Sequence, residues 1–118
     1  VTVGLNQPPT PVATYSGRMS VNIDVRFGVY GLAPADADAI YTLFEQVVEE
    51  NRLEREVVIS RRENPEGTRD VHVVSQHPVI FSGFYKWRPT FEKSLQLRVA
   101  EAVPLAKVVF DWNYPDED

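Results

Sequence analysis

The sequence predicts an α+β domain, and three observations predict it. Val21 to Leu32 (VNIDVRFGVYGL) alternates apolar and polar residues with the two-residue period of a half-buried strand. Two later stretches place apolar residues at helical spacing: Ile40, Leu43, Phe44, Val47 and Val48, then Phe91, Leu95, Val99 and Ala102. Between them, EVVISRR and TRDVHVVS flank the polar, proline-bearing turn Asn64-Pro65-Glu66-Gly67, the pattern of a hairpin.

Each element follows from local chemistry. Residues 1–18 contain Pro8, Pro9 and Pro11 and no regular apolar pattern, so they read as an extended arm before a single domain over 19–114 and an acidic tail over 115–118. In the first strand Val21, Ile23, Val25, Phe27 and Val29 point one way, and Asn22, Asp24, Arg26 and Tyr30 the other. Gly31 ends it. Pro34 suits a first helical turn, where an N–H has no partner anyway, and Asp36 and Asp38 suit the positive end of the helix dipole. That helix is expected to run to about Asn51 or Arg52. The aromatic stretch Pro78 to Trp87 reads as an irregular strand broken at Gly83 or as a loop over the core. Arg88-Pro89-Thr90 resembles a second helix start, Pro104 follows its end, and Ala106 to Trp112 (AKVVFDW) alternates as a last strand.

The order β-α-β-β-α-β resembles the ferredoxin-like plan of two interleaved βαβ halves. The resemblance rests on element order over Met19 to Trp112 and implies a four-stranded antiparallel sheet, in order 4-1-3-2, with both helices on one face. The alternation then puts Val71, Val73, Val108, Phe110 and Trp112 with the valines of the first strand in the core. Asp70, His72, Val74, Val109 and Asp111 fall on the opposite face.

Composition narrows the function classes. At 118 residues and 43% hydrophobic the chain can bury one core without covalent staples, and with no cysteine it has no disulfide, thiol catalysis or thiolate metal site. No apolar run approaches the roughly 20 residues that span a bilayer, and no secretory leader pattern opens the chain, so a cytoplasmic protein without membrane association is expected. A formal charge of −5 disfavours a nucleic-acid backbone as partner. The charges are also segregated. Asp36, Asp38, Glu45, Glu49, Glu50 and Glu54 stand against Arg52 alone, the chain ends in Asp116, Glu117 and Asp118, and Lys86, Arg88, Lys93, Arg98 and Lys107 make a basic segment.

Catalytic signatures are missing from this pattern. His72 and His77 are the only imidazoles and sit five apart in an extended segment, so neither a metal nor a cofactor is expected. Ser82-Gly83 lacks the preceding glycine of a nucleophile elbow. Asp24, Arg26, Tyr30 and His72 form the one polar constellation of the sheet face. They would serve as acid, base and binding groups if two sheets closed into a dimeric α/β barrel around a small organic molecule. Otherwise they are cross-strand pairs on a wet sheet.

The stretch His77 to Lys93 divides between core and surface: Phe81, Phe84 and Phe91 are expected to close the core, and Tyr85, Lys86, Trp87 and Arg88 to face a partner. The reading these residues favour is a non-enzymatic protein-binding module. Its concrete version is a bacterial inhibitor or immunity protein that neutralises a basic toxin such as a nuclease, presenting Asp36, Asp38, Glu45, Glu49, Glu50 or the tail Asp116, Glu117 and Asp118 where the target expects phosphate. The alternatives are the small dimeric barrel enzyme and a structural subunit of a larger assembly.

Overall fold

A computed structural model of the chain describes residues 20–115; the arm 1–18, Met19 and the tail carboxylates Asp116, Glu117 and Asp118 lie outside the described residues. The elements run β1 (Ser20–Ile23), β2 (Arg26–Leu32), α1 (Pro34–Glu50), β3 (Val57–Glu63), β4 (Arg69–Ser75), β5 (Val79–Ser82), α2 (Phe84–Ala102) and β6 (Val109–Phe110). The architecture is α+β, with two helices and antiparallel strands. Four of these strands form one sheet in order β3-β4-β2-β6, and β1 pairs with β5 in a separate ribbon.

The expected single strand from Val21 to Leu32 is therefore two. Continuing the β2–β4 register would put Ile23 opposite His77, but its partner is Val79. The chain between β4 and β5 holds extra residues that include Pro78, which has no N–H to give a ladder. Ser75 repairs the gap, its Oγ accepting the Val25 N–H at 2.9 Å. The last strand is also shorter than expected, at two residues. Its register persists beyond them through the Asp111 N–H to Arg26 C=O bond at 2.8 Å and the mutual bonds of Asp24 with Asn113.

The apolar face follows the alternation. Ile23, Val25, Phe27, Val29, Val71 and Val73 are all buried, with Ala37, Ile40, Phe44 and Val47 of α1 and Phe84, Phe91, Leu95 and Val99 of α2. The Phe27 ring meets Phe44 at 5.2 Å and Phe91 at 5.6 Å between centroids, so both helices pack on the same side of the sheet.

Helix α2 starts at Phe84, a full turn before the expected Arg88, so Tyr85, Lys86 and Trp87 belong to a helix and not to a strand or loop. The Gly83 carbonyl accepts the Trp87 N–H at 3.0 Å and opens the ladder. Pro89 lies inside the helix. At the far end Ala102 is exposed, so the buried stripe stops at Val99 and does not extend to the end of the helix.

Two glycines of β2 are required by geometry. Gly31 (φ 72°) sits in the bulge between Val29 and Leu32, and its N–H reaches the Asp70 carboxylate at 2.9 Å. Gly28 lies opposite His72, and a Cβ there would stand 2.7 Å from the His72 Cβ and 2.8 Å from the Val71 carbonyl oxygen. Backbone is the obstacle, so a flexible side chain cannot yield to admit it. Gly28→Ala is expected to cost about 1–3 kcal/mol of stability in a urea melt. An unchanged midpoint would mean that the two central strands part without penalty.

Candidate functional site

More than three turns of α2, from Lys86 to Arg98, and the end of α1 build a groove. Phe84 anchors the start of α2 in the core, which turns Tyr85 outward, 58% exposed, with its ring parallel to that of Tyr114 at 6.2 Å. Trp87 lies half-buried against Phe91, the two rings stacked at 4.4 Å. Its indole N–H donates to Asn51 Oδ1 at 3.2 Å, and Asn51 in turn donates through Nδ2 to the Val47 carbonyl at 2.8 Å. The last turn of α1 thus fixes the plane of the indole. Beside it opens a groove of about 520 Å³ whose floor is Val47, Trp87, Phe91 and Leu95. Lys86, Glu50 and Arg98 form its charged rim.

The rim is partly self-neutralised. Arg98 bonds both oxygens of Glu50, at 2.7 and 3.2 Å, and this holds the Glu50 carboxyl below the usual range and pushes Arg98 up. Arg88 faces away from the groove. Its Nε meets Glu92 at 2.9 Å and its Nη1 donates to the Tyr114 hydroxyl at 2.8 Å, while Glu92 also accepts from the Trp112 indole. The bond to Glu92 raises the Arg88 pKa. Arg88 is thus a tie between α2 and the C-terminal segment, and of the four consecutive residues 85–88 the groove takes Lys86 and Trp87.

The carboxylates of α1 separate into two sets. Asp38 pairs with Arg61 at 3.2 Å, and the Arg61 guanidinium also lies 4.5 Å from the Tyr41 ring centre. Asp36 falls in the first helical turn. Glu45 and Glu49 are exposed and, with Glu54, border a second groove of about 290 Å³ whose floor is Val48, Val57 and Ile59. Among the described residues none of these three carboxylates has an ion pair. The two grooves lie on opposite flanks of α1, one toward α2 and one toward β3.

One recess of the sheet face takes two of the four residues of the constellation. Asp24 and Arg26 line a recess of about 300 Å³ with Ser75, Asp111 and Asn113, and Asp24 accepts from the Asn113 amide at 3.2 Å. His72 and Tyr30 are not part of its lining. Burial lowers the His72 pKa first, and Arg26 and Arg62 lower it further against the pull of Asp70. Tyr30 stands exposed at the β2 bulge.

Sequence reasoning missed Asn51, Arg98 and Tyr114 as groove or tie residues, and it missed Asp70. Asp70 is only 3% exposed although it alternates with the outward set of β4. The Gly31 N–H, the Asn64 amide and Arg62 enclose it, at 2.9, 3.0 and 2.9 Å. An asparagine just after an acidic helix marks the helix end, but not the indole 36 residues on that its side chain holds. Nothing in the sequence announces that Tyr114 would stand over Tyr85.

Among the described residues no helix is long and apolar enough to cross a membrane, and no three His, Asp or Glu groups gather where a metal ion could be held. Comparison with protein-family models, with curated proteins and with solved structures finds no match.

Proposed function

We propose that the chain is a protein-binding module, and that the groove between α1 and α2 is where its partner sits. The observation that carries this reading is the groove's make-up: an indole fixed by Asn51 over an apolar floor, rimmed by Lys86 and the Glu50–Arg98 pair. Protein partners bury such a mixture because a rigid aromatic offers area at little entropic cost while the charged rim sets orientation.

The partner in this reading is basic, and the module works as an inhibitor of the immunity type that blocks a cationic toxin such as a nuclease. Support comes from the charge of −5 and from the carboxylates Asp36, Asp38, Glu45 and Glu49 on the same helix that lines the groove. Their field draws a basic partner toward α1, and the groove then holds it. The scaffold we read as a variant of the ferredoxin-like plan. Its support is the strand order β3-β4-β2-β6 with both helices against Phe27; the β1–β5 ribbon and the divided first strand depart from that plan.

The test is kinetic. With the full chain as bait, a basic protein is captured and its association followed by stopped flow. Replacing Asp36 and Glu49 by lysine is expected to slow association about tenfold at low salt, with the gap closing as ionic strength rises. Trp87→Ala is expected to act on the dissociation rate instead. Equal association rates for both proteins at every salt concentration would sink the reading.

A further inference from the structure

The hydrogen-bond phase of the sheet shows which groups of β3 are left over. Gln76 donates to the Glu56 carbonyl at one end of the β3–β4 pair, and Asn64 donates to the Thr68 carbonyl at the other. With Val58 opposite Val74, Ser60 opposite His72 and Arg62 opposite Asp70, the even-numbered residues turn their backbone groups toward β4. Val57, Ile59, Arg61 and Glu63 therefore turn theirs outward. Strand β3 is the edge of the sheet, seven residues long and paired without a bulge. The opposite edge, β6, has only two residues. A long, straight edge is what natural sheets normally cover or interrupt.

The charge pattern around that edge is self-complementary. Read antiparallel against a second copy with Ile59 opposite Ile59, the segment Glu56-Val57-Val58-Ile59-Ser60-Arg61-Arg62 sets Glu56 opposite Arg62 and Val58 opposite Ser60. Arg61 falls opposite Val57, beside the groove where Glu45, Glu49 and Glu54 have no cation of their own among the described residues. Moving the register so that Arg61 opposes itself would set like charges together, which disfavours it. The backbone agrees as well. Ile59 exchanges both of its bonds with the partner's Ile59, and the Arg61 N–H meets the Val57 carbonyl. The Val57 N–H is already taken by Leu53 at 3.1 Å.

We propose that two copies of this chain pair β3 to β3 about a two-fold axis through Ile59, giving one continuous antiparallel sheet of eight strands, with Arg61 of each copy exchanging its solvent-exposed pair with Asp38 for the carboxylate groove of the other. The interface is isologous, so it closes at two copies. It lies on the β3 flank of α1 and leaves the α1–α2 groove and the outer sheet face open. It differs in this from a dimer that joins its sheets face to face.

The experiment measures mass and amide exchange together on the full chain. Sedimentation at micromolar concentration is expected to give twice the 13.4 kDa of one chain. Hydrogen exchange is expected to show the Ile59 and Arg61 amides protected, with protection falling on dilution. Arg61→Glu sets an anion against the carboxylate groove and is expected to weaken the dimer at least about tenfold. Ile59→Lys, which brings two ammonium groups together on the axis, is expected to give a monomer whose circular dichroism matches the parent. A monomeric parent overturns the proposal. So does a dimer in which the Ile59 and Arg61 amides exchange freely, because its interface then lies elsewhere.

Discussion

Phe27→Ala is expected to lower the free energy of unfolding by about 3–5 kcal/mol, enough to bring a domain of typical stability close to its unfolding threshold. Phe27 is 1% exposed on a central strand, and its ring touches Phe44, Phe91 and Phe110, at 5.2, 5.6 and 5.9 Å. These three neighbours come from α1, α2 and β6, so one side chain is the common contact of both helices and the last strand. Truncation removes the transfer free energy of a benzyl group. It also leaves a cavity that strands held by their ladders cannot close. Phe27→Leu keeps most of the volume and is expected to cost less. A urea titration of the two variants checks this, and a loss below about 1 kcal/mol for the alanine variant would show that the helices do not depend on this ring.

Asp70→Ala is expected to cost about 2–3 kcal/mol, through lost hydrogen bonds and not through lost apolar volume. Its carboxylate holds the β2 bulge through the Gly31 N–H, the hairpin turn through Asn64 and the β3 edge through Arg62. Removal leaves the partly buried Gly31 N–H without an acceptor, whereas Arg62, which is exposed, can turn to water. The same group gives the domain an acid limit. Burial alone would raise the Asp70 pKa, but the bond from Gly31 and those from Asn64 and Arg62 outweigh it, and the net position is below the usual carboxylate range. A carboxyl lowered on folding contributes stability that is complete above its unfolded value of about 3.9 and is lost as pH falls through the folded value. Between pH 7 and 5 the stability difference between parent and Asp70→Ala should therefore stay constant, then shrink as pH falls below about 4. A difference that already shrinks at pH 6 would place the coupling in another group.

Where alternation or helical spacing was strong, the residues announced the structure. Val25, Phe27 and Val29 are buried and Arg26 and Tyr30 exposed, as their period of two requires, and α1 occupies Pro34–Glu50 as its proline, acids and apolar stripe require. Two features misled. Pro89 suggested a helix start, because proline is commonest in a first turn, yet the run Phe84, Trp87, Phe91, Leu95 and Val99 already keeps helical spacing from Phe84 onward. Tertiary packing of Phe84 and Trp87 against the α1 end and the C-terminal aromatics prevails over a local preference. The break at Asp24 was invisible because alternation continues through it; only the partner strand, with Pro78, decides where the pairing stops.

The candidate site was legible in residue types and less so in arrangement. Lys86, Trp87 and Glu50 do meet in one groove, but Arg88 is committed to Glu92 and Tyr114, and Arg98 was needed to complete the rim. Partner choice among charged side chains is set by distances across the fold, to which sequence spacing gives no access.

Pro89 gives the first turn of α2 a mechanical character of its own. With no N–H at that position, the turn from Phe84 to Arg88 is joined to the rest of the helix by one backbone bond fewer than an uninterrupted helix would have. What secures that turn is therefore its side chains: Phe84 sunk in the core and the Trp87 indole bonded to Asn51 stand in for the missing main-chain bond.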